Sequence, residues 1–300
     1  MIFDPRKPQG IHAILYALFD EDEKLDRKAM RRQTEICIKA GVHGLAALGL
    51  ATEVSKLGEH ERCQIMDWLA EDRDTTLPLA FTIYGASVAE QIRQVRHAEA
   101  AGADWVILQP PMVGSYGARA YIDFFIRVAN ATALPVGIQN APAFLGRSLQ
   151  SADLVELNTH APNVCIVKGE GPVTDIANLL AATDDRFTVL NGRAGLELID
   201  NLKIGCSGLI LAPDMIDYAV KAYEFHRAGH QAEADRTYRS ILPAIVFTMQ
   251  GIEHLICYGK RLYAARAGIT IHDRSPALQP STIGMEMVTR FADELGSYET

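Results

Sequence analysis

Lys168 closes the apolar run Val164-Cys165-Ile166-Val167 and is followed at once by Gly169-Glu170-Gly171-Pro172. A run of that length, bounded by Asn163 and by turn residues, predicts a short buried strand that delivers its last side chain to the strand's carboxyl edge. In barrel enzymes that edge carries the chemistry. Desolvation there disfavours an ammonium and leaves an amine able to attack a carbonyl carbon, so the residue type points to imine formation with a ketone or aldehyde. Glu170 is then a carboxylate placed to move protons beside it. The competing reading makes Lys168 a lysine escaping to solvent from a strand end and Glu170 a solvated loop residue.

The elements that must position these residues repeat. Short apolar runs at 11–18, 44–48, 79–83, 105–109, 135–139, 164–168, 188–191 and 208–212 alternate with helix-period segments, the signature of βα units and a parallel sheet. Asp26 and Ser87 are placed to cap the first and third helices, and Ser148 or Ser151 the fifth. Twice a helix ends in Ala-Gly and a short turn before the next strand, at 39–45 and 98–106. That repetition favours an α/β fold of the closed (β/α)8 TIM barrel type over a doubly wound open sheet. The open sheet would normally carry a glycine-rich turn after its first strand, and Leu18-Phe19-Asp20-Glu21 has none. The barrel is assigned to residues 1–225. Residues 226–300 read as helices only (231–249, 250–267 and 282–295), a C-terminal helical extension packed on the barrel.

Composition narrows the class. The chain has 300 residues, nearly half of them apolar, enough for one large barrel with additions. A net charge of -8 without runs of like charge argues against nucleic acid or an anionic membrane as partner. Cys37, Cys63, Cys165, Cys206 and Cys257 lie far apart and mostly within apolar stretches, which fits reduced thiols. His226 and His230 are four apart, but Gly229 interrupts them in a polar stretch. With no secretory h-region in residues 1–10 and no run near ~18 apolar residues, a cytoplasmic protein is expected.

If eight strands close, Phe19, 49–53, Tyr84, 109–111, Gln139-Asn140, Lys168, Asn191-Gly192 and Leu211-Ala212 face one cavity. Lys168 is the one carbonyl-attacking nucleophile among them, and the strand ends supply too few Asp, Glu or His for a metal. Neither metal nor cofactor is expected. Tyr84 is a candidate hydrogen-bond or proton donor, and Arg193 a candidate for binding a distal carboxylate or hydroxyls; otherwise both are rim residues. Glu53 is expected to order the second strand's turn, and Tyr116 to lie over the site or at a subunit contact.

Taken together these positions resemble the dihydrodipicolinate synthase and N-acetylneuraminate lyase family of class I, Schiff-base-forming barrel enzymes. The resemblance spans nearly the whole chain. Gly49-Leu-Ala-Thr-Glu53 stands in place of the family's Gly-x-x-Gly-Glu turn, Gln139-Asn-Ala-Pro142 in place of its Tyr-Asn-x-Pro, and Val167-Lys168 at its imine lysine. Gly208-Leu-Ile-Leu211 follows Asn191-Gly192, and 260–269 with Arg274-Ser-Pro276 look like its final helices. The resemblance implies an imine between Lys168 and pyruvate or another 2-keto acid. It places the substrate carboxylate on backbone amides around Ala51 and Thr52, an anion cradle that needs no cation. It also gives Ile210 to the wall of the imine site, Gly192 as the small residue leaving room for substrate, and a homotetramer.

The departures are informative. Gln139 replaces the family's proton-shuttling tyrosine and cannot act as an acid or base near neutral pH. Leu50 and Ala51 replace the two turn hydroxyls, Met112 an aromatic residue, and Phe144 the arginine the synthases use for their second substrate. Dihydrodipicolinate synthesis is therefore disfavoured. The 2-keto-3-deoxy-L-arabonate dehydratase branch is similar in these places, with Gln for the tyrosine and a glutamate two residues after the lysine. This chain has Asn140 where that branch has aspartate. By that resemblance Glu170 removes the C3 proton of the imine and assists loss of the C4 hydroxyl. The expected function is thus a lyase dehydrating a 2-keto-3-deoxy sugar acid, with aldol cleavage to pyruvate as the alternative. From a different class, loss of the tyrosine and both hydroxyls leaves a non-catalytic keto-acid-binding barrel.

Overall fold

The computed structural model describes residues 3–298. Eight parallel strands close into a barrel in chain order: β1 (Gly10–Ile14), β2 (Gly44–Ala47), β3 (Leu79–Ile83), β4 (Trp105–Leu108), β5 (Val136–Asn140), β6 (Val164–Gly169), β7 (Thr188–Asn191) and β8 (Gly208–Leu211). Pairing of β8 with β1 removes the open-sheet alternative. Closure also demands close backbone approach. A Cβ on Gly208 would lie 1.9 Å from the Gly10 carbonyl oxygen, so only glycine fits that seam.

Each strand is followed by helix: α1 (Arg27–Lys39), α2 (Glu59–Asp72), α3 (Val88–Ala100), α4 (Ala118–Ala129), a short α5 (Pro142–Leu145) with α6 (Ser151–His160), α7 (Val173–Thr183), α8 (Leu198–Lys203) and α9 (Ile216–Arg227). Asp26 caps α1 by accepting from the Lys28 and Ala29 amides, and Ser87 caps α3. The cap of α6 is Gln150, not Ser148 or Ser151, because Asp153 reaches back to accept from the Gln150 amide at 2.8 Å.

The first apolar run is longer than its strand. Residues 15–18 are buried, but the ladder to β2 ends where the Leu15 amide donates to the Ala46 carbonyl at 2.9 Å, and at Tyr16 the Gln33 side chain takes both the backbone amide and the carbonyl, each at 3.0 Å. A buried side chain thereby satisfies backbone groups that a neighbouring strand would otherwise pair.

Register fixes which side chains fill the barrel. His12 meets Trp105 edge-on across the interior, 5.8 Å between ring centroids. Gly137 is flanked by Ile107 and Ile166. With a side-chain period of two, the same faces of β4, β5 and β6 carry Gln109, Gln139 and Lys168 at their carboxyl ends.

After α9 the chain is helical: α10 (Gln231–Thr248), α11 (Ile252–His254), a π-helical turn at Leu255–Gly259, α12 (Lys260–Ala267) and α13 (Thr282–Leu295). Buried contacts fasten this layer to the barrel, among them the Lys260–Glu53 pair and the Tyr263 ring, 6.3 Å from that of Tyr16. Among the described residues no single helix is long and apolar enough to cross a membrane.

Candidate active site

Lys168 ends the barrel-facing side of β6 and is 3 % exposed. Its Nζ lies 3.3 Å from Glu170 Oε1. Glu170 remains on the scaffold, because its amide donates to the Asn140 carbonyl at 2.9 Å and extends the β5–β6 ladder by one step. The second carboxylate oxygen is also held: Gln139 Nε2 donates to Glu170 Oε2 at 2.7 Å. Gly192 closes the group from β7, where a Cβ would sit 2.6 Å from Glu170 Oε1. The structure thus brings together Lys168, Glu170, Gln139 and Gly192. A buried amine beside a carboxylate with one pinned oxygen and one oxygen directed at the amine is equipped to pass a proton back and forth. The cavity lining also includes the apolar side chains of Ile14, Ile210, Met249, Ile252 and Leu255.

The turn after β2 supplies amides. Leu50 and Ala51 line the same cavity, and neither of their N–H groups has an acceptor among the described residues. Thr52 departs from its expected place. Its amide donates to the Gly49 carbonyl at 3.1 Å and its hydroxyl to the Leu15 carbonyl at 2.6 Å, so the turn itself consumes both donors. The open cradle is Leu50 and Ala51. Glu53 sits in the left-handed region at φ 55° and binds Lys260 and Lys56, the latter at 2.7 Å, which orders this turn as expected.

Two further candidates turn away. The Tyr84 ring lies under the Arg62 guanidinium of α2, 5.2 Å away. Asn191 is fully buried, but its amide donates to the Gly171 carbonyl at 3.1 Å and to Asn201 Oδ1 at 2.8 Å, while Oδ1 accepts from the Gly192 amide. It fixes the loops around Glu170 and Gly192, and has no donor left for substrate. Both side chains follow partners distant in sequence, which strand periodicity does not encode.

Arg193 does reach the cavity wall, in the left-handed region at φ 54° with Ala194 at 52°. Its guanidinium is tied to Glu197 at 3.0 Å. Tyr116 is exposed, stacked edge-on with Tyr121 on the β4–α4 connection. Above the lysine cavity lies a vestibule of about 900 Å³ between the β2 turn, the β4 and β5 loops and the helical layer, lined by Leu50, Gln109, Met112, Phe144 and Ile252 among others. Gln109, named from sequence only as a strand end, forms part of that lining. Its parity with Lys168 was the available signal.

The fold is a closed (β/α)8 barrel with a lysine and a carboxylate paired at the carboxyl ends of its strands. A sequence model of the dihydrodipicolinate synthetase family matches residues 7–261, and the chain belongs to that family. It is 29 % identical, over 78 % of its length and 79 % of the relative's, to YagE of Escherichia coli K12, named as a candidate 2-dehydro-3-deoxy-D-gluconate aldolase. The crystal structure of YagE in complex with pyruvate superposes with a TM-score of 0.87 at 25 % identity, covering 96 % of this chain and 98 % of that one. A 4-hydroxy-tetrahydrodipicolinate synthase of Methanoculleus marisnigri is 27 % identical over 78 % of this chain and 82 % of its own. Dihydrodipicolinate synthase from Rhodopseudomonas palustris shares the fold, with a TM-score of 0.86 at 20 % identity over 97 % of this chain and 99 % of that one.

Proposed function

We propose that the protein is a Schiff-base-forming lyase that dehydrates a 2-keto-3-deoxy sugar acid, with Lys168 as nucleophile and Glu170 as proton carrier. The observation that supports this reading is the buried Lys168 Nζ, 3.3 Å from a carboxylate whose other oxygen is held by Gln139. The substrate carboxylate rests on the open amides of Leu50 and Ala51. Glu170 takes a proton from the Lys168 ammonium, and the free amine adds to C2. Glu170 then returns the proton to the carbinolamine hydroxyl, which leaves as water and yields the iminium.

The iminium is itself the electron sink, so C3 becomes acidic and no cofactor is required. Glu170 removes the C3 proton to give the enamine. The same carboxyl delivers that proton to the C4 hydroxyl as it departs as water, and hydrolysis of the remaining imine frees Lys168. With Gln139 in place of a tyrosine, a single acid-base group serves every step, which suits an elimination in which one proton is taken and given back.

Aldol cleavage is the second reading, favoured by the aldolase name of YagE. There the C4 hydroxyl loses its proton, the C3–C4 bond breaks, and an aldehyde and pyruvate are released through the same enamine. Incubation with a panel of 2-keto-3-deoxy pentonates and hexonates, followed by product analysis, separates the two. A dehydrated keto acid of unchanged carbon number is expected, whereas pyruvate with an aldehyde overturns the dehydratase reading.

We also propose a homo-oligomer, a tetramer by family resemblance. Val113 is 84 % and Tyr116 61 % exposed on one loop, apolar surface that a second copy would cover. Light scattering of the purified protein should return a multiple of the 32.9 kDa chain.

A further inference from the structure

Three neighbouring strands present buried polar atoms that no group in the described chain satisfies: Thr82 Oγ1 on β3, Gln109 Oε1 after β4 and Gln139 Oε1 on β5. Such atoms each cost about 1–3 kcal/mol when left unpaired. A barrel interior of apolar residues would avoid them. Gln109 stands out because its amide nitrogen has only the Met112 thioether, at 3.3 Å, for a partner. Its backbone, by contrast, is firmly placed: Gln91 Nε2 on α3 donates to the Gln109 carbonyl at 2.8 Å and to the Gly85 carbonyl at 3.1 Å. The side chain is fully buried just beneath the floor of the vestibule, against Met112. A fixed backbone with an unsatisfied amide at a cavity floor describes a ligand-reading group held ready.

Strand positions order the candidate contacts along the barrel mouth. Leu108 pairs with Ile138, and Gln139 with Lys168, so Gln109, Gln139 and Lys168 form one row. Neighbouring strands are about 4.8 Å apart. With C2 on Lys168 and Glu170 serving C3 and C4, the group one strand beyond Gln139 meets the next carbon. On the imine reading above, we infer that Gln109 is a specificity-determining residue that accepts a hydrogen bond from the C5 hydroxyl of the sugar acid. A site with a buried unpaired amide rejects an analogue lacking the hydroxyl more strongly than an apolar pocket would.

The test is borohydride trapping of Lys168, reading the concentration of keto acid that gives half-maximal adduct. For the wild-type protein that concentration should be at least about tenfold higher for the 5-deoxy analogue of a 2-keto-3-deoxypentonate than for the pentonate itself. In Gln109→Leu the two acids should become equal within about twofold, while trapping by pyruvate, which has no C5, stays at the wild-type value and shows that the variant is folded. Equal values for both acids in the wild-type protein overturn the inference without need of a variant. An undiminished preference in Gln109→Leu overturns it as well. Absence of any adduct with pyruvate in the wild-type protein removes the imine reading and this inference together, a result distinct from either of the others.

Discussion

Gln139 donates to the Glu170 carboxylate at 2.7 Å across the β5–β6 seam, and this bond sets which oxygen faces Lys168. A glutamine that cannot titrate thus aims the group that can. Gln139→Leu leaves a buried carboxylate oxygen without its donor, a loss of about 1–3 kcal/mol. The expected result is a kcat about 10- to 100-fold lower with a smaller change in KM, since a misdirected carboxylate impairs proton transfer more than substrate capture. Steady-state kinetics against the preferred sugar acid check this.

Glu170→Gln keeps the shape of the side chain and removes its capacity to take up and return a proton. Imine formation should slow, with solvent carrying its protons, yet still reach a trappable adduct, while elimination falls by about 10²- to 10⁴-fold, the usual worth of a placed acid-base group. Mass analysis after borohydride reduction, beside product assays, shows whether the adduct forms without turnover. Full activity in this variant would contradict the role given to Glu170.

Gly192→Ala tests the packing behind the carboxylate. The new methyl group would lie 2.6 Å from Glu170 Oε1 and 3.2 Å from Cδ, so the carboxylate must swing away from Lys168. Activity should therefore drop at least about tenfold, which kinetics beside the wild-type protein decide.

Asp214, after β8, is a titrating group outside the site. Burial pushes its carboxyl up to about 6, against the opposing hydrogen bond from Tyr16 at 3.0 Å. A folded-state value above the unfolded one means the native state holds the proton more tightly. That stabilisation is complete below pH ~4 and is lost as pH rises to ~6, where the buried charge is worth about 3 kcal/mol against folding. Asp214→Asn should therefore gain stability relative to wild type between pH 4.5 and 7, read from denaturant midpoints at the two pH values.

Strands and barrel closure were legible because alternating apolar runs and helix signals are local properties. So was the place of Lys168 at the end of β6, since a strand's last interior side chain follows from its period. What escaped was side-chain direction just beyond the ladder. Thr52 bonds the Leu15 carbonyl, Tyr84 lies under Arg62, and Asn191 turns to Gly171 and Asn201. Each is decided by a partner far away in sequence, as is the Glu53–Lys260 pair, 207 residues apart. The same holds for Tyr16, whose backbone bonds the Gln33 side chain in place of a strand.

Borohydride reduction of the intact protein with pyruvate, followed by peptide mass mapping, shows whether Lys168 forms the imine. One stable adduct per chain is expected, on Lys168, and none in Lys168→Ala. No adduct with pyruvate or any other 2-keto acid, or an adduct on a different lysine, would contradict it and leave a barrel that binds keto acids without imine chemistry.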